Sequence, residues 1–313
     1  MWRYAARRVL ATLPVMAVVA LFVFSLLYIA PGDPAAIIAG DQASAEDIAR
    51  IRISLGLDRP FAVRFGEWLW RVLHGDLGTS IFTNLSVTHM IGQRVGPSLS
   101  LMLLTLLLSV AVAVPVGVLA AARVGSWLDR LVMLAAVVGF SVPVFVIGYG
   151  LAYVFALQLD WLPVQGYVPL AQGLWPWLSR LILPTLALSG IYIALIARTT
   201  RAAMLEVLGQ DYVRTARAKG LATLPVLYLH ALKNASVPIV TVIGLGVALL
   251  IGGAVVTESV FAIPGIGRLV VDAILRRDYP VIQGVTLLFS LLYVLVNLGV
   301  DLLYVVLDPR IRQ

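Results

Sequence analysis

Residues 99–122 read Leu99-Ser-Leu-Met-Leu-Leu-Thr-Leu-Leu-Leu-Ser-Val-Ala-Val-Ala-Val-Pro-Val-Gly-Val-Leu-Ala-Ala-Ala122, 24 residues without a charged side chain. A helix rises about 1.5 Å per residue, so this run is about 36 Å long, enough to cross a hydrocarbon core of about 30 Å. A membrane β-barrel strand would alternate apolar and polar residues over about ten positions, and this run does not. Inside lipid each backbone N–H and C=O must find its partner within the segment, so the run is predicted to be a helix.

Five further stretches meet the same test: 9–30, 131–157, 181–197, 237–256 and 281–307. The composition agrees, with 61% apolar and 12% charged residues in 313. Soluble domains carry about 45–50% apolar and about 25% charged residues. So little charge cannot coat a water-facing surface of this size, which excludes a soluble enzyme, a disordered tail and a disulfide scaffold. Arg3, Arg7 and Arg8 precede the first stretch in the manner of a signal peptide. That stretch is too long for a signal core, and no small-x-small site closes it, so it is predicted to be a retained first span. Pro115, Pro143 and Pro184 fall within or at the start of spans and are predicted to kink or begin them.

Several chemistries lack their residues. With no cysteine there is no disulfide, zinc-thiolate site or redox motif. His74, His89 and His230 are far apart, which argues against a histidine metal site. No Gly-x-x-x-x-Gly-Lys-Ser/Thr cradle occurs, so the chain is not expected to hydrolyse ATP itself. No hydrolase or metalloprotease spacing occurs either. Within the spans Asp301 is the lone acid. It reads either as a proton or substrate site or as a carboxylate paired with a neighbouring segment.

Charge gives an orientation. With the N-terminus inside, the inner segments hold 13 basic and four acidic residues, the outer ones 10 basic and 11 acidic. Six spans with both termini cytoplasmic satisfy the positive-inside rule. The chain then reads as one membrane domain, 1–313, without repeats, and three connecting segments are long. Residues 31–97 form an outer helical layer. Ser44-Ala-Glu-Asp47 starts one short helix there, through Ile53, and residues 60–73 form another with Phe61, Phe65, Trp68, Leu69 and Val72 on one face. The aromatics Phe65, Trp68 and Trp70 face either their own domain or a partner. Residues 198–234 form an inner loop. Residues 257–280 lie outside and contain Phe261-Ala-Ile-Pro-Gly-Ile-Gly267.

The inner loop carries a short basic amphipathic helix with charges at Asp211, Arg214, Arg217 and Lys219. Tyr212, Val213, Ala216 and Ala218 are its apolar or small positions, and Gly220 stops it with Lys219 in the last turn. Physics alone leaves two readings, a helix lying on anionic lipid or a lever that docks into a partner protein.

The wording of this loop resembles a known family. Arg214-Thr-Ala-Arg-Ala-Lys-Gly220, nine residues, then His230-Ala-Leu-Lys-Asn-Ala235 resembles the signature loop of ABC importer permeases, Glu-Ala-Ala-x3-Gly-x9-Ile-x-Leu-Pro. Arg214 stands at the Glu, Thr215 and Ala216 at the two Ala, and His230, Leu232 and Lys233 at Ile, Leu and Pro. These departures are similar to those of the peptide-import branch. In order along the chain, Ala30-Pro-Gly-Asp-Pro34, Leu55-Gly-Leu-Asp-Arg-Pro60, Gly75-Asp-Leu-Gly-Thr-Ser80 and Ser141-Val-Pro-Val-Phe145 resemble that branch too. So do Glu258-Ser-Val-Phe-Ala-Ile-Pro-Gly-Ile-Gly267, Asp278-Tyr-Pro-Val-Ile-Gln283 and Asp301 followed by Asp308-Pro-Arg310.

The resemblance implies a type I ABC importer permease fold, all-α, in a bacterial inner membrane. It implies the first permease subunit of an importer for dipeptides, oligopeptides or glutathione-like peptides. Its partners would be a second homologous permease, two ATPase subunits that hold ATP and magnesium, and a periplasmic or lipid-anchored binding protein. Asp211, Tyr212, Arg214, Thr215, Ala216, Arg217, Ala218, Lys219 and Gly220 would form the coupling helix seated on an ATPase. Phe261, Pro264, Gly265 and Gly267 would form an outer gate, a binding-protein contact or a plain turn. No catalytic residue, metal or cofactor is expected on this chain. A nickel-chelate or other small-solute importer permease is an alternative. So is an ion-coupled secondary transporter, against which stand the scarcity of charge in the spans and the absence of an inverted repeat.

Overall fold

The structure, a computed structural model, describes residues 2–29, 34–39, 44–54 and 57–307. The motif at 30–33 and the ending at 308–313 lie outside them, as does the Asp47 side chain that the first outer helix was to use as a cap. Among the described residues the fold is helical, apart from one antiparallel bridge between Thr79 and Ser86. The helices in chain order are α1 (Trp2–Ile29), α2 (Pro34–Ala39), α3 (Ala45–Ser54), α4 (Phe61–Leu73), α5 (Val87–Ala122), α6 (Trp127–Ser141) and α7 (Val144–Leu151). They continue with α8 (Leu174–Leu208), α9 (Asp211–Ala218), α10 (Thr223–Pro225), α11 (Leu232–Asn234), α12 (Ser236–Val260), α13 (Ile266–Arg276) and α14 (Tyr279–Leu307). Two π-helical segments, Ala152–Gln158 and Val226–Ala231, extend α7 and α10.

Among the described residues, five helices are long and apolar enough to cross a membrane, within α1, α5, α8, α12 and α14. The expected third span is not one rod. It breaks into α6 and Val144–Gln158, bent by 100°, so the count reaches six when this pair is one span. The cause is Pro143, which pushes the residue before it out of the helical region. Val142 accordingly has φ −92 and ψ 122. Pro115 and Pro184, by contrast, lie inside continuous helices.

α5 and α8 run furthest beyond their apolar stretches. α5 begins at Val87, although His89, Gln93 and Arg94 make its first turns polar. α8 runs on through Arg198, Arg201 and Glu206 to Leu208, so the first third of the expected inner loop is helix. Most residues of that extension are good helix formers, and charge does not stop a helix that leaves the hydrocarbon.

One compact unit comprises Val95–Arg268 with the chain from Leu295 on. Its centre is α8, which buries 14 residues between Leu181 and Met204. α6, α7 and α12 pack along it. Small residues set the spacing: a Cβ at Gly117 would stand 2.7 Å from Ala197 O, and one at Gly139 would stand 3.2 Å from Gly190 O. Close backbone approach of this kind holds membrane helices together where apolar burial cannot.

The other unit comprises Trp2–Arg94 and Leu269–Val294. α4 lays its aromatic stripe on α1. The Phe24 ring meets Phe61, Phe65 and Trp68 at centroid separations of 5.3, 5.5 and 5.2 Å. Arg64 lies over Tyr28, 5.3 Å from the ring centre, and donates to its hydroxyl at 2.5 Å. Phe65 and Trp68 therefore pack on their own unit, whereas Trp70 is 66% exposed and meets the His74 ring at a tilt of 46°. Further along, a tight loop bridged at Thr79 and Ser86 is pinned by Asp278. The Ser80 hydroxyl donates to Asp278 Oδ2 at 2.5 Å and Ile81 N–H donates to Oδ1 at 3.3 Å.

Candidate functional site

Two residues, Gly209 and Gln210, separate α8 from α9, so the end of α8 sets where α9 begins. Val213 is fully buried and Ala216, one turn on, is half-buried, which gives α9 one inward stripe. α9 rests on the π-turn Val226–Ala231. Beneath that turn, Leu227 and Ala231 join a core with Val118 and Ala121 of α5, Ala203 and Met204 of α8, and Ile239 of α12.

The helix ends as its sequence demands. Gly220 adopts φ +80, a conformation that costs glycine nothing. Gly220 N–H donates to Arg217 O at 2.9 Å and Leu221 N–H donates to Ala216 O at 3.3 Å, the two bonds of a Schellman ending. Thr215 turns its hydroxyl back on its own helix, donating to Asp211 O at 3.0 Å.

The remaining face is open. Asp211, Tyr212, Arg214, Thr215, Arg217, Ala218, Lys219 and Gly220 are all exposed. Asp211 and Arg214 form an ion pair at 3.2 Å on side chains 94% and 74% exposed, a geometry worth little in water. The nine residues marked in the sequence thus lie on one helix and its cap, with Val213 holding that helix to its own protein and Tyr212 left exposed. Chemically this is a small, exposed helix face that carries Arg214, Arg217 and Lys219. Arg198 faces Phe140 at 5.5 Å, and His230 lies in the π-turn with its carbonyl accepting from Asn234.

A second constellation, at the start of α6, escaped sequence reasoning. Asp129 occupies the first turn of α6, where Ser126 caps the helix by accepting from Asp129 N–H at 3.3 Å. The Asp129 carboxylate is almost fully buried. It receives Arg201 in a fork, Nε to Oδ1 at 2.5 Å and Nη2 to Oδ2 at 2.8 Å. Gly125 N–H also donates to Oδ2, at 2.9 Å. The Ser126-Trp-Leu-Asp129 spacing was a readable capping signal. Its pairing with a residue 72 positions away was not.

The segment 261–267 is a tied turn. Glu258, in the last turn of α12, is fully buried. Its carboxyl accepts from the Ser98 hydroxyl at 2.5 Å and from Arg268 N–H at 2.9 Å. Ser98 Oγ in turn accepts from Ile266 N–H at 2.8 Å. Two orphan donors at the start of α13 are thereby satisfied by residues far off in sequence. Gly265 and Gly267 pass directly over the Glu258 carboxyl, where a Cβ would collide with it. Phe261 is buried against Gly148, and its carbonyl accepts from Gly166 N–H at 2.9 Å. Of the four residues marked here, Pro264 alone is exposed.

Asp301 is half-buried in α14 and is not a free carboxylate. Among the described residues no group of three or more histidine or acidic side chains could hold a metal. A cleft of about 1160 Å³ lies in the unit of α1 and α4, lined by Trp68, Trp70, Arg71 and Tyr279 among others. It holds none of the loop residues 211–220 or 261–267.

Apolar helices long enough to span a membrane, joined to exposed basic and tied polar turns, define a multi-pass membrane protein. The chain belongs to the family of binding-protein-dependent transport system inner membrane components, whose model matches residues 113–313. The model of that family's N-terminal region matches residues 1–102. It is similar to a Sinorhizobium fredii protein named "Probable peptide ABC transporter permease protein", with 56% identity over 99% of both chains. It is also similar to the glutathione transport system permease protein GsiC of Salmonella typhimurium, with 42% identity over 100% of this chain and 99% of that one. Its fold matches a chain of the MetNI methionine ABC transporter in an inward-facing crystal form, with TM-score 0.59 and 18% identity. That match covers 70% of this chain and 96% of the other. The fold is that of type I ABC importer permeases, and the protein is a multi-pass permease of the bacterial inner membrane. As an importer permease it works with ATPase subunits and a substrate-binding protein.

Proposed function

We propose that this chain forms one half of the translocation path of a peptide importer, beside a second homologous permease and above two ATPase subunits. The peptide class follows from the names of its relatives, which cover the whole chain at 56% and 42% identity. ATP and magnesium belong to the ATPase subunits. Both termini face the cytoplasm and the bent pair counts as the third of six spans, as the excess of basic residues on the inner segments supports.

The observation that carries the reading is α9. It is capped at its end, anchored by Val213 and carried two residues beyond α8, with its charged face open. A helix that only covered lipid would bury a broad apolar face and keep its cations above it. α9 buries its narrow apolar stripe against its own protein and leaves Arg214, Arg217 and Lys219 on the outside, a surface suited to an acidic or carbonyl-lined cleft. Movement of the ATPases on binding ATP would then reach α8 through α9. On the other face, Pro264 is the exposed point of a rigid turn, and it meets the binding protein as a fixed knob.

Gentle detergent extraction from the native membrane, followed by mass spectrometry of what co-purifies, tests this. Stoichiometric recovery of a second permease and two ATPases, with a binding protein that retains peptides, is the expected result. Recovery of this chain alone, without ATPase activity, contradicts it.

A further inference from the structure

We infer that Arg201 and Asp129 are positioning residues for energy coupling: their forked ion pair makes the end of α8, which carries α9, and the start of α6 move as one body. The inference rests on the reading of α9 as the ATPase contact.

The end of α8 is held in two different ways. Toward α5, the π-turn and α12 it is held by apolar contacts of Ala203 and Met204 with Val118, Ala121, Leu227, Ala231 and Ile239. Such contacts resist separation but are non-directional, and they permit small sliding. Toward α6 the hold is directional. The planar guanidinium of Arg201 meets both oxygens of Asp129, which fixes angle as well as distance.

The same carboxylate binds Gly125 N–H, and Gly125 is the φ +79 residue of the turn from α5 into α6. One side chain therefore ties three elements: α8 through Arg201, the α5–α6 turn through Gly125, and α6 through its own first turn. With side-chain exposures of 22% for Arg201 and 6% for Asp129, the pair is largely shielded from water and is not a mobile surface contact.

The far end of α6 gives the brace its consequence. α6 ends at the 100° break before Val144 and is not stiffly continued into the next helix. α6 also lies along α8, with Gly139 against Gly190 and Arg198 on Phe140. A push on α9 reaches α8 directly, and Arg201 hands it to α6. Without the fork α8 can turn while α6 stays, and hydrolysis proceeds with less movement of the path.

The test uses the assembled importer in proteoliposomes, with ATP hydrolysed and peptide taken up measured together. Arg201→Met is expected to assemble and hydrolyse ATP while the ATP spent per peptide rises by about tenfold. Arg201→Lys, which keeps the charge but not the fork, is expected to fall between. Where Arg201→Met fails to assemble, the neutral pair Asp129→Asn with Arg201→Met is the substitute, and the same rise is expected. A ratio unchanged in these variants, while Arg214→Glu with Arg217→Glu raises it, overturns the brace and leaves the α9 reading standing. A ratio unchanged in both sets overturns both. Failure of every pair variant to assemble makes the pair a folding device and also overturns the inference.

Discussion

The Ser98 hydroxyl donates to Glu258 at 2.5 Å across 160 positions of sequence and accepts from Ile266 N–H at 2.8 Å. This joins the N-terminal half of α5 to the last turn of α12 and to the first residue of α13 in one buried polar knot. Glu258 closes it by accepting from Arg268 N–H. A carboxyl at a helix N-terminus is favoured both by the unpaired N–H groups and by the helix dipole.

Removing Ser98 should therefore cost more than its size. Ser98→Ala leaves Ile266 N–H without its acceptor and a buried Glu258 oxygen without its donor. The expected loss is about 1–3 kcal/mol. Thermal unfolding of the purified complex should show it, with Ser290→Ala, a half-buried hydroxyl bonded to its own helix, changing far less.

Glycine at 267 is required by contact. A Cβ there would stand 2.6 Å from Val255 Cα, which is backbone and cannot step aside. Gly267→Ala should destabilise by about 1–3 kcal/mol or more. Gly299 lies in α14 with nothing within 4 Å of a Cβ. Gly299→Ala should be neutral or stabilise by up to about 1 kcal/mol. Paired melting curves check both.

At the end of α9, Gly220→Ala forces a φ of +80 on a residue with a Cβ, at a cost of about 1 kcal/mol. Gly220→Asn should cost less, because asparagine tolerates that region. Peptide uptake should fall in the order Gly, Asn, Ala with assembly intact. Val213→Ala, which loosens the anchor without touching a charge, should lower uptake in the same way.

Most of the membrane scaffold was legible in the sequence because its signals are local. Apolar runs located the long helices, the Phe61–Val72 spacing located α4, and Gly220 located the end of α9. What was not legible depends on distant partners or on one residue overriding a run. The kink at Pro143 was expected, but not that it would reach 100° while Pro115 and Pro184 stay inside continuous helices. The polar first turns of α5 and the charged extension of α8 hide helix outside the hydrocarbon. The Asp129–Arg201 and Ser98–Glu258 pairs join residues 72 and 160 positions apart, and no periodicity records them. In the turn 261–267 the glycines were visible, but not that Glu258 is the group they make room for.

Orientation is open to direct measurement because the chain has no cysteine of its own. Thr83→Cys, exposed in the bridged loop between α4 and α5, should react with a membrane-impermeant maleimide in intact spheroplasts. Thr223→Cys, exposed beyond α9, should react only after permeabilisation. The reverse pattern would invert the topology.

The most direct measurement is a cross-link from α9. Ala218→Cys, on the open face of the helix, is treated with a short thiol-to-amine reagent in the native membrane, and the product is identified by mass spectrometry. A single adduct with an ATPase subunit, its yield changing when ATP is added, is the expected result. Efficient thiol labelling with no ATPase adduct, with and without ATP, would contradict the assignment of α9 as the coupling helix.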